Sequence, residues 1–402
     1  MVKFRRLKMK KRHLLAGVFA LFALSAWSAD QFGKFREVRD VVLEQDSYPE
    51  PHVIEHMAGG GFVVAGRFEA ENSAWATGLD ESGAVRWRYL MAPPNQNVKQ
   101  IYPYFTGVAA SQDGGFLLCG MANLGTIEKP DVNALLVKLD SEGKLLKQLY
   151  IRPPQLEYEY GRTVYLDRCV PWGNGAALIG RLSRTDFRGG KSVSHWIISA
   201  SSDGGVLWQK LIPSMGGGDA AQVRPMPDGG LFIFDTEAIR VDAKGDLQAR
   251  FRTTGRLRLI EPADVQSDPQ LLDCYGGDSL GRLIRLTADL HIAEQRTIEF
   301  PDGYVCGPPQ YVMQTYSLAD GSLVLFGYHY KKGVRMPGIV KWPPRQLVPQ
   351  ASTYPVGNAP WFNAAAPTSK PGVYVTVRIT GAVVPLPVKL EHSAHVTFFD
   401  MN

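Results

Sequence analysis

Paired glycines leading into short, unbroken apolar runs punctuate this chain. Gly60-Gly61 opens onto Phe62-Val63-Val64-Ala65, Gly114-Gly115 onto Phe116-Leu117-Leu118-Cys119, and Gly229-Gly230 onto Leu231-Phe232-Ile233-Phe234. Weaker copies begin at Gly173-Asn174-Gly175, Gly321-Ser322 and Gly372-Val373. A polar motif lies downstream of most copies: Leu79-Asp80-Glu81-Ser82-Gly83, Leu139-Asp140-Ser141-Glu142-Gly143 and Val241-Asp242-Ala243-Lys244-Gly245. Continuous apolar runs of this length predict strands buried on both faces. The glycines suit hairpin turns that need positive φ, and the aspartates can accept bonds from backbone N–H groups two residues on. After the second turn the pattern becomes mixed, as in Arg86-Trp87-Arg88-Tyr89, which predicts an outer strand with one edge toward water.

Two hairpin turns per unit of about 40–60 residues imply a radially repeated antiparallel sheet. The fold expected is all-β, a β-propeller of seven four-stranded antiparallel blades, with six or eight as the alternatives. The units fall near residues 50–92, 98–152, 160–213, 220–252, 257–300, 305–350 and 358–400. The fifth has Asp268-Pro269-Gln270 in place of the glycine pair, and the sixth has Pro343-Pro344 in place of the Asp-x-x-Gly turn. Phe35 to Glu44 reads as an orphan outer strand that could pair with the last blade and close the ring. Closure would remove the exposed sheet edge.

The repeats resemble secreted bacterial β-propellers of the WD40-like and quinoprotein-like superfamily. That resemblance covers nearly all of the chain after its first residues, and it implies a fold far more than an activity, because propellers host many unrelated functions. One turn is more specific. Ser201-Ser202-Asp203-Gly204-Gly205-Val206-Leu207-Trp208 resembles the Asp-box turn of sialidases. The early Arg-Ile-Pro motif and the several boxes of that family are absent, so the glycosidase reading does not follow.

The first residues change the charge argument. Lys3, Arg5, Arg6, Lys8, Lys10, Lys11 and Arg12 precede an apolar run from Leu14 to Trp27 and then Ser28 and Ala29. This layout reads as a Sec signal peptide over 1–28, with a single propeller domain over 29–402. The apolar run falls short of the roughly 20 residues that span a bilayer, so no integral membrane span is expected after cleavage. The whole chain carries 44 Lys+Arg against 39 Asp+Glu. Removing the seven basic leader residues leaves 37 against 39, a net charge near −2, and an argument for nucleic-acid binding from net charge fails.

Export also frames the four cysteines. Cys119 ends the second strand of blade two and Cys169 lies in the inner strand of blade three. Cys274 and Cys306 hold the corresponding places in blades five and six. Two inter-blade disulfides are expected, Cys119–Cys169 and Cys274–Cys306, with buried free thiols as the alternative.

The search for chemistry yields little. His52 and His56, four apart, would share a strand face, but no third ligand stands nearby in sequence. His392 and His395 would face opposite sides. No His-Glu-x-x-His, Gly-x-Ser-x-Gly or P-loop is present, and the tryptophans Trp75, Trp87, Trp196 and Trp208 read as packing between blades. The expectation is therefore no catalytic residue, no metal and no cofactor, with enzymatic activity unsupported.

What remains is one rim. The loops joining second and third strands should emerge on the same face as the inter-blade connections. They are long at Met121–Asn133, Arg181–Ser194 and Tyr328–Pro337. Tyr102, Tyr104, Tyr158, Tyr160, Arg181, Arg188, Tyr328, His329 and Arg335 lie there as candidate partner-binding residues. The reading is a monomeric, periplasmic or secreted, non-catalytic scaffold that binds an unidentified protein partner, of which an immunity-type or envelope-associated protein is one version. The alternative is a carbohydrate-binding or carbohydrate-active propeller using exposed aromatics.

Overall fold

The glycine-bounded apolar runs form strands at the expected places, and these assemble into a β-propeller. The computed structural model describes residues 36–45, 49–57, 59–68, 72–91, 103–125, 129–154, 163–185, 191–215, 221–253, 255–261, 269–274, 280–300, 314–318, 320–331, 334–343, 350–353, 361–370, 373–381 and 392–401. The signal-peptide reading over 1–28 lies outside these residues. No helix among them is long and apolar enough to cross a membrane.

The first strand, β1 (Arg36–Gln45), precedes blade one, which is built of β2 (Pro49–His56), β3 (Phe62–Phe68), β4 (Ser73–Leu79) and β5 (Val85–Met91). Blade two follows with β6 (Tyr104–Ala110), β7 (Phe116–Asn123), β8 (Val132–Leu139) and β9 (Leu145–Ile151). Blade three has β10 (Thr163–Trp172), β11 (Gly175–Thr185), β12 (Lys191–Ser201) and β13 (Val206–Pro213). Blade four is the smallest: β14 (Gln222–Pro225), β15 (Leu231–Phe234), β16 (Glu237–Val241) and β17 (Leu247–Arg252). Blade five comprises β18 (Arg256–Glu261), β19 (Gln270–Cys274), β20 (Leu280–Leu286) and β21 (Ile292–Glu299). Blade six comprises β22 (Gln314–Ser317), β23 (Leu323–Lys331), β24 (Val334–Trp342) and β25 (Gln350–Thr353). Blade seven takes β26 (Trp361–Pro367), β27 (Val373–Gly381) and β28 (His392–Asp400) from the end of the chain and β1 from its beginning.

That last pairing closes the ring. β1 runs antiparallel to β28, from Arg36 opposite Asp400 to Gln45 opposite Ser393, and becomes the outer strand of blade seven. Blades five and six are also joined at their inner strands, where β18 and β22 pair in parallel through Ile260 and Thr315.

The core is divided among the blade interfaces. Seven apolar clusters each bridge one neighbouring pair. Ile54 and Phe62 of blade one meet Val375 and Val396 of blade seven, and Phe326 of blade six meets Tyr374 and Phe399 of blade seven. A seven-bladed ring needs seven such seams, and each is filled. The second strands are buried accordingly, β7 and β15 at every residue. Outer strands such as β5 and β9 are mostly exposed or half-buried, each with a single buried residue at its end.

The turns follow the expected chemistry. Asp80, Asp140 and Asp242 each accept backbone N–H bonds from the residues two and four positions on, at 2.8–3.0 Å. In the Asp-box turn the Ser201 hydroxyl accepts the Gly205 N–H at 3.0 Å, so the motif shapes a hairpin. Glycine at the end of this turn has a second cause. Gly143 has φ +76°, and a Cβ there would lie 2.5 Å from the indole of Trp87, which reaches over from the outer strand of blade one. Trp208 of blade three meets Gly245 of blade four in the same way. The tryptophans are thus interlocks between successive blades. Trp87→Ala will empty this slot and cost about 3 kcal/mol of stability, read as a lower urea midpoint. Leu90→Ala, at an exposed site on the same strand, will move it by less than about 0.5 kcal/mol.

Candidate functional site

Strand direction sets what meets on each face. First strands begin, second strands end and third strands begin on the face that carries the inter-blade connections. This connector face holds a belt of charged and aromatic side chains across blades one to four.

In blade one, Arg67 at the end of β3 pairs with Glu50 at the start of β2. His52 lies beside them, its ring 5.6 Å from that of Tyr104, the first residue of β6. Burial, reinforced by the Arg67 charge and opposed by Glu50, lowers the His52 imidazole to about 4. His52 is therefore neutral near pH 7. The Tyr104 phenol is pushed above its usual range by burial and by the charge of Asp167. In blade three, Arg181 grips Asp167 with two hydrogen bonds of 2.7 Å and lies over the Tyr165 ring at 5.0 Å. Such a bidentate pair fixes both side chains.

The most buried cluster joins blades three and four. His195 on β12 and the pair Asp235 and Glu237, which flank the turn from β15 to β16, are all sealed from solvent. The His195 Nε2 lies 3.2 Å from Glu237 Oε1 and 3.8 Å from Asp235 Oδ2. Glu237 is well satisfied: Oε1 accepts the Met215 N–H at 3.0 Å, and Oε2 accepts Arg250 Nη1 at 2.7 Å. Burial alone would raise its carboxyl, but the bonds from His195, Met215, Arg250 and Ser214 prevail and hold it down at about 2. Asp235 goes the other way. Burial raises it, against the partial relief given by His195 and the Glu237 N–H. Its Oδ1 accepts that N–H at 2.8 Å, whereas Oδ2 has no hydrogen-bond partner among the described residues.

The sequence-based candidates are placed unevenly. Tyr104 and Arg181 lie on the connector face, but half-buried, with Tyr104 packed on blade three's core. Tyr102, Tyr158, Tyr160 and Arg188 fall outside the described residues. The three expected long loops are shorter than read, because the strands extend into them. β11 and β12 stay paired out to Thr185 and Lys191, and β7 and β8 out to Asn123 and Val132. In blade six, β23 and β24 pair out to Lys331 and Val334, with Tyr328 opposite Pro337, His329 opposite Met336 and Tyr330 opposite Arg335. Pairing satisfies backbone groups that an irregular loop would leave to water.

His52 and His56 do not come together as a metal pair. A bulge between Pro51 and Val53 breaks the register of β2 at His52. His56, toward the opposite face, bonds Glu81 at 2.8 Å. The backbone of His395 stands between Arg378 and Val42 in blade seven, and that of His392 opposite Gly381. Cys119 and Cys169 form a disulfide between β7 and β10, their Cα atoms 6.1 Å apart. Cys274 ends β19, but Cys306 is outside the described residues, so that second pairing lies beyond them. The His195, Asp235 and Glu237 cluster was missed in the sequence. The available signal was Asp235-Thr236-Glu237, two acids in a short second-to-third-strand turn, between Phe234 and Ala238-Ile239.

Grooves on the described surface open between neighbouring blades, among them ones lined by Trp87 and Phe116 (about 300 Å³), by Arg240 and His291 (about 580 Å³), and by Arg285 and Asp320 (about 390 Å³). Each lies between a blade and its neighbour, so the blade geometry itself accounts for them.

No family model matches the chain, and no curated protein matches it. Among solved structures, the chain is similar to BBS1N, crystallised in complex with ARL6DN, at 9% identity and a TM-score of 0.50, covering 92% of this chain and 97% of that one. It is also similar to the Dos1 propeller at 10% identity and a TM-score of 0.48, covering 88% and 78%. The likeness to BBS1N is one of fold alone, and together with the ring of four-stranded sheets it makes this protein a β-propeller.

Proposed function

We propose that this protein is an exported, non-catalytic scaffold that binds a partner protein on its connector face. The observation that supports this reading is the uneven relief of that face. β11 and β23 run on for 11 and 9 residues, whereas β15 of blade four stops after 4. At about 3.3 Å per residue, the blade-three hairpin stands roughly 20 Å beyond that of blade four. Paired, backbone-satisfied hairpins on blades three and six, with the shorter strands of blades four and five between them, make a stiff, shaped surface, which reduces the ordering cost of association. The disulfide between blades two and three fits an oxidising compartment, in line with the basic and apolar leader. An immunity-type protein that neutralises a toxin in the periplasm is one concrete form of this role.

The test is affinity capture from the cell envelope with the leaderless protein, beside a variant carrying Tyr328→Ala and Arg335→Ala. Tyr104 is left intact because it is half-buried. The variant is expected to keep its thermal unfolding and to lose at least ten-fold in recovery of the captured species. Equal recovery by both proteins would remove the rim from consideration. Specific binding on a glycan array would favour the carbohydrate reading instead.

A further inference from the structure

We propose that His195, Asp235 and Glu237 form a binding site for a divalent transition cation of the zinc class, pinning blade three to blade four. Three observations carry it. The first is spacing. Ligand atoms about 2.1 Å from a tetrahedral ion stand about 3.4 Å from one another. Here the His195 Nε2 is 3.2 Å from Glu237 Oε1 and 3.8 Å from Asp235 Oδ2, and the three donor atoms all lie within 4.8 Å of one another.

The second is an unmet demand. Asp235 is 1% exposed, and its Oδ2 has no hydrogen-bond partner among the described residues, although it is directed at His195. A buried carboxylate oxygen without a partner is costly, and a cation would satisfy it directly.

The third is the support behind the two carboxylates. Asp235 Oδ1 accepts the Glu237 N–H, which leaves Oδ2 free to point inward. Glu237 Oε2 is anchored by Arg250, whose other terminal nitrogen donates to the Pro213 carbonyl. Ligating carboxylates are held in this way by outer hydrogen bonds. The donor set, one imidazole and two carboxylates, suits zinc-class ions better than calcium or magnesium, which prefer more oxygen ligands. On binding, the imidazole must present Nε2 as a lone pair, so any proton there leaves to solvent or moves to Nδ1.

The test uses the untagged full-length chain after its leader is removed, stripped with chelator and titrated with Zn²⁺ in a calorimeter. About one equivalent is expected to bind with Kd on the order of micromolar or tighter, and Co²⁺ in its place should give the intense visible absorption of a tetrahedral site. Asp235→Asn keeps the side-chain volume and should weaken binding at least ten-fold, whereas His56→Gln should leave it unchanged. Absence of stoichiometric Zn²⁺ uptake by the unaltered protein would overturn the proposal, whatever the fate of the variants. So would full-strength binding by Asp235→Asn. Were that variant not to fold, the Co²⁺ spectrum of the unaltered protein decides, and an octahedral spectrum counts against the site.

Discussion

A chain lacking residues 36–45 will fail to close its ring and will elute as oligomers or aggregate, with any folded fraction melting more than about 10 °C lower. β1 is the sole outer strand of blade seven, and it arrives from the other end of the sequence. Removing it exposes the full edge of β28, nine residues of unpaired backbone. It also takes Leu43 from the seam between blades seven and one. Arg88 loses the Leu43 carbonyl it donates to at 3.0 Å, and Thr397 loses Asp40 at 2.7 Å. An open edge next to a thinned seam can recruit the same strand from a second chain, so oligomers are the expected escape. Size-exclusion chromatography with a thermal melt reads both effects. Adding the excised segment as a synthetic peptide should restore the original elution volume. A truncated chain that elutes and melts like the intact one would mean that β1 merely decorates the ring.

How much of this could be read beforehand follows from what repeats. Gly60-Gly61, Gly114-Gly115 and Gly229-Gly230 are local signals for local turns, and the apolar runs after them are buried for the same reason in every blade. The register of seven units therefore followed from spacing, and with it the placing of Cys119 next to Cys169. Even the orphan strand of β1 was visible, since an outer-strand pattern with no blade of its own has only the last blade to join. The hairpins of blades three and six were read as loops because charged and aromatic residues outnumber the apolar ones there. Arg188-Gly189-Gly190 and Lys332-Gly333 are nevertheless turn signals in the sequence between the paired strands. The buried cluster was hidden for a different reason. His195 stands 42 residues from Glu237, on an otherwise ordinary third strand. Its partners occupy a turn whose brevity reads as nothing more than a small blade. Only the packing of blade three on blade four brings them together, and that is a property of the ring and not of any one repeat.

Replacing both Cys119 and Cys169 with Ala will cost about 4 kcal/mol of stability, the chain-entropy value for a cross-link spanning 50 residues. The expectation is close to the full value because both sulfurs lie where the fold already brings the strands together. Both cysteines are fully buried, and a Cβ on Gly107 would approach the two sulfurs at 2.8 and 3.0 Å, so the backbone of blade two has been kept bare to admit them. Urea unfolding with and without a phosphine reductant measures the effect. The unaltered protein should lose stability under reductant only slowly, because a bond this deep is reached through opening of the blade interface. The double variant also reports on the other two cysteines. If its midpoint no longer responds to reductant, the bridge between blades two and three carries the whole redox sensitivity of the fold. If it still falls, Cys274 and Cys306 are bonded as well, and the ring is stitched at two seams. A loss below about 1 kcal/mol in the double variant would mean that the seam of Leu117, Leu136, Leu178 and Trp196 holds these blades without covalent help.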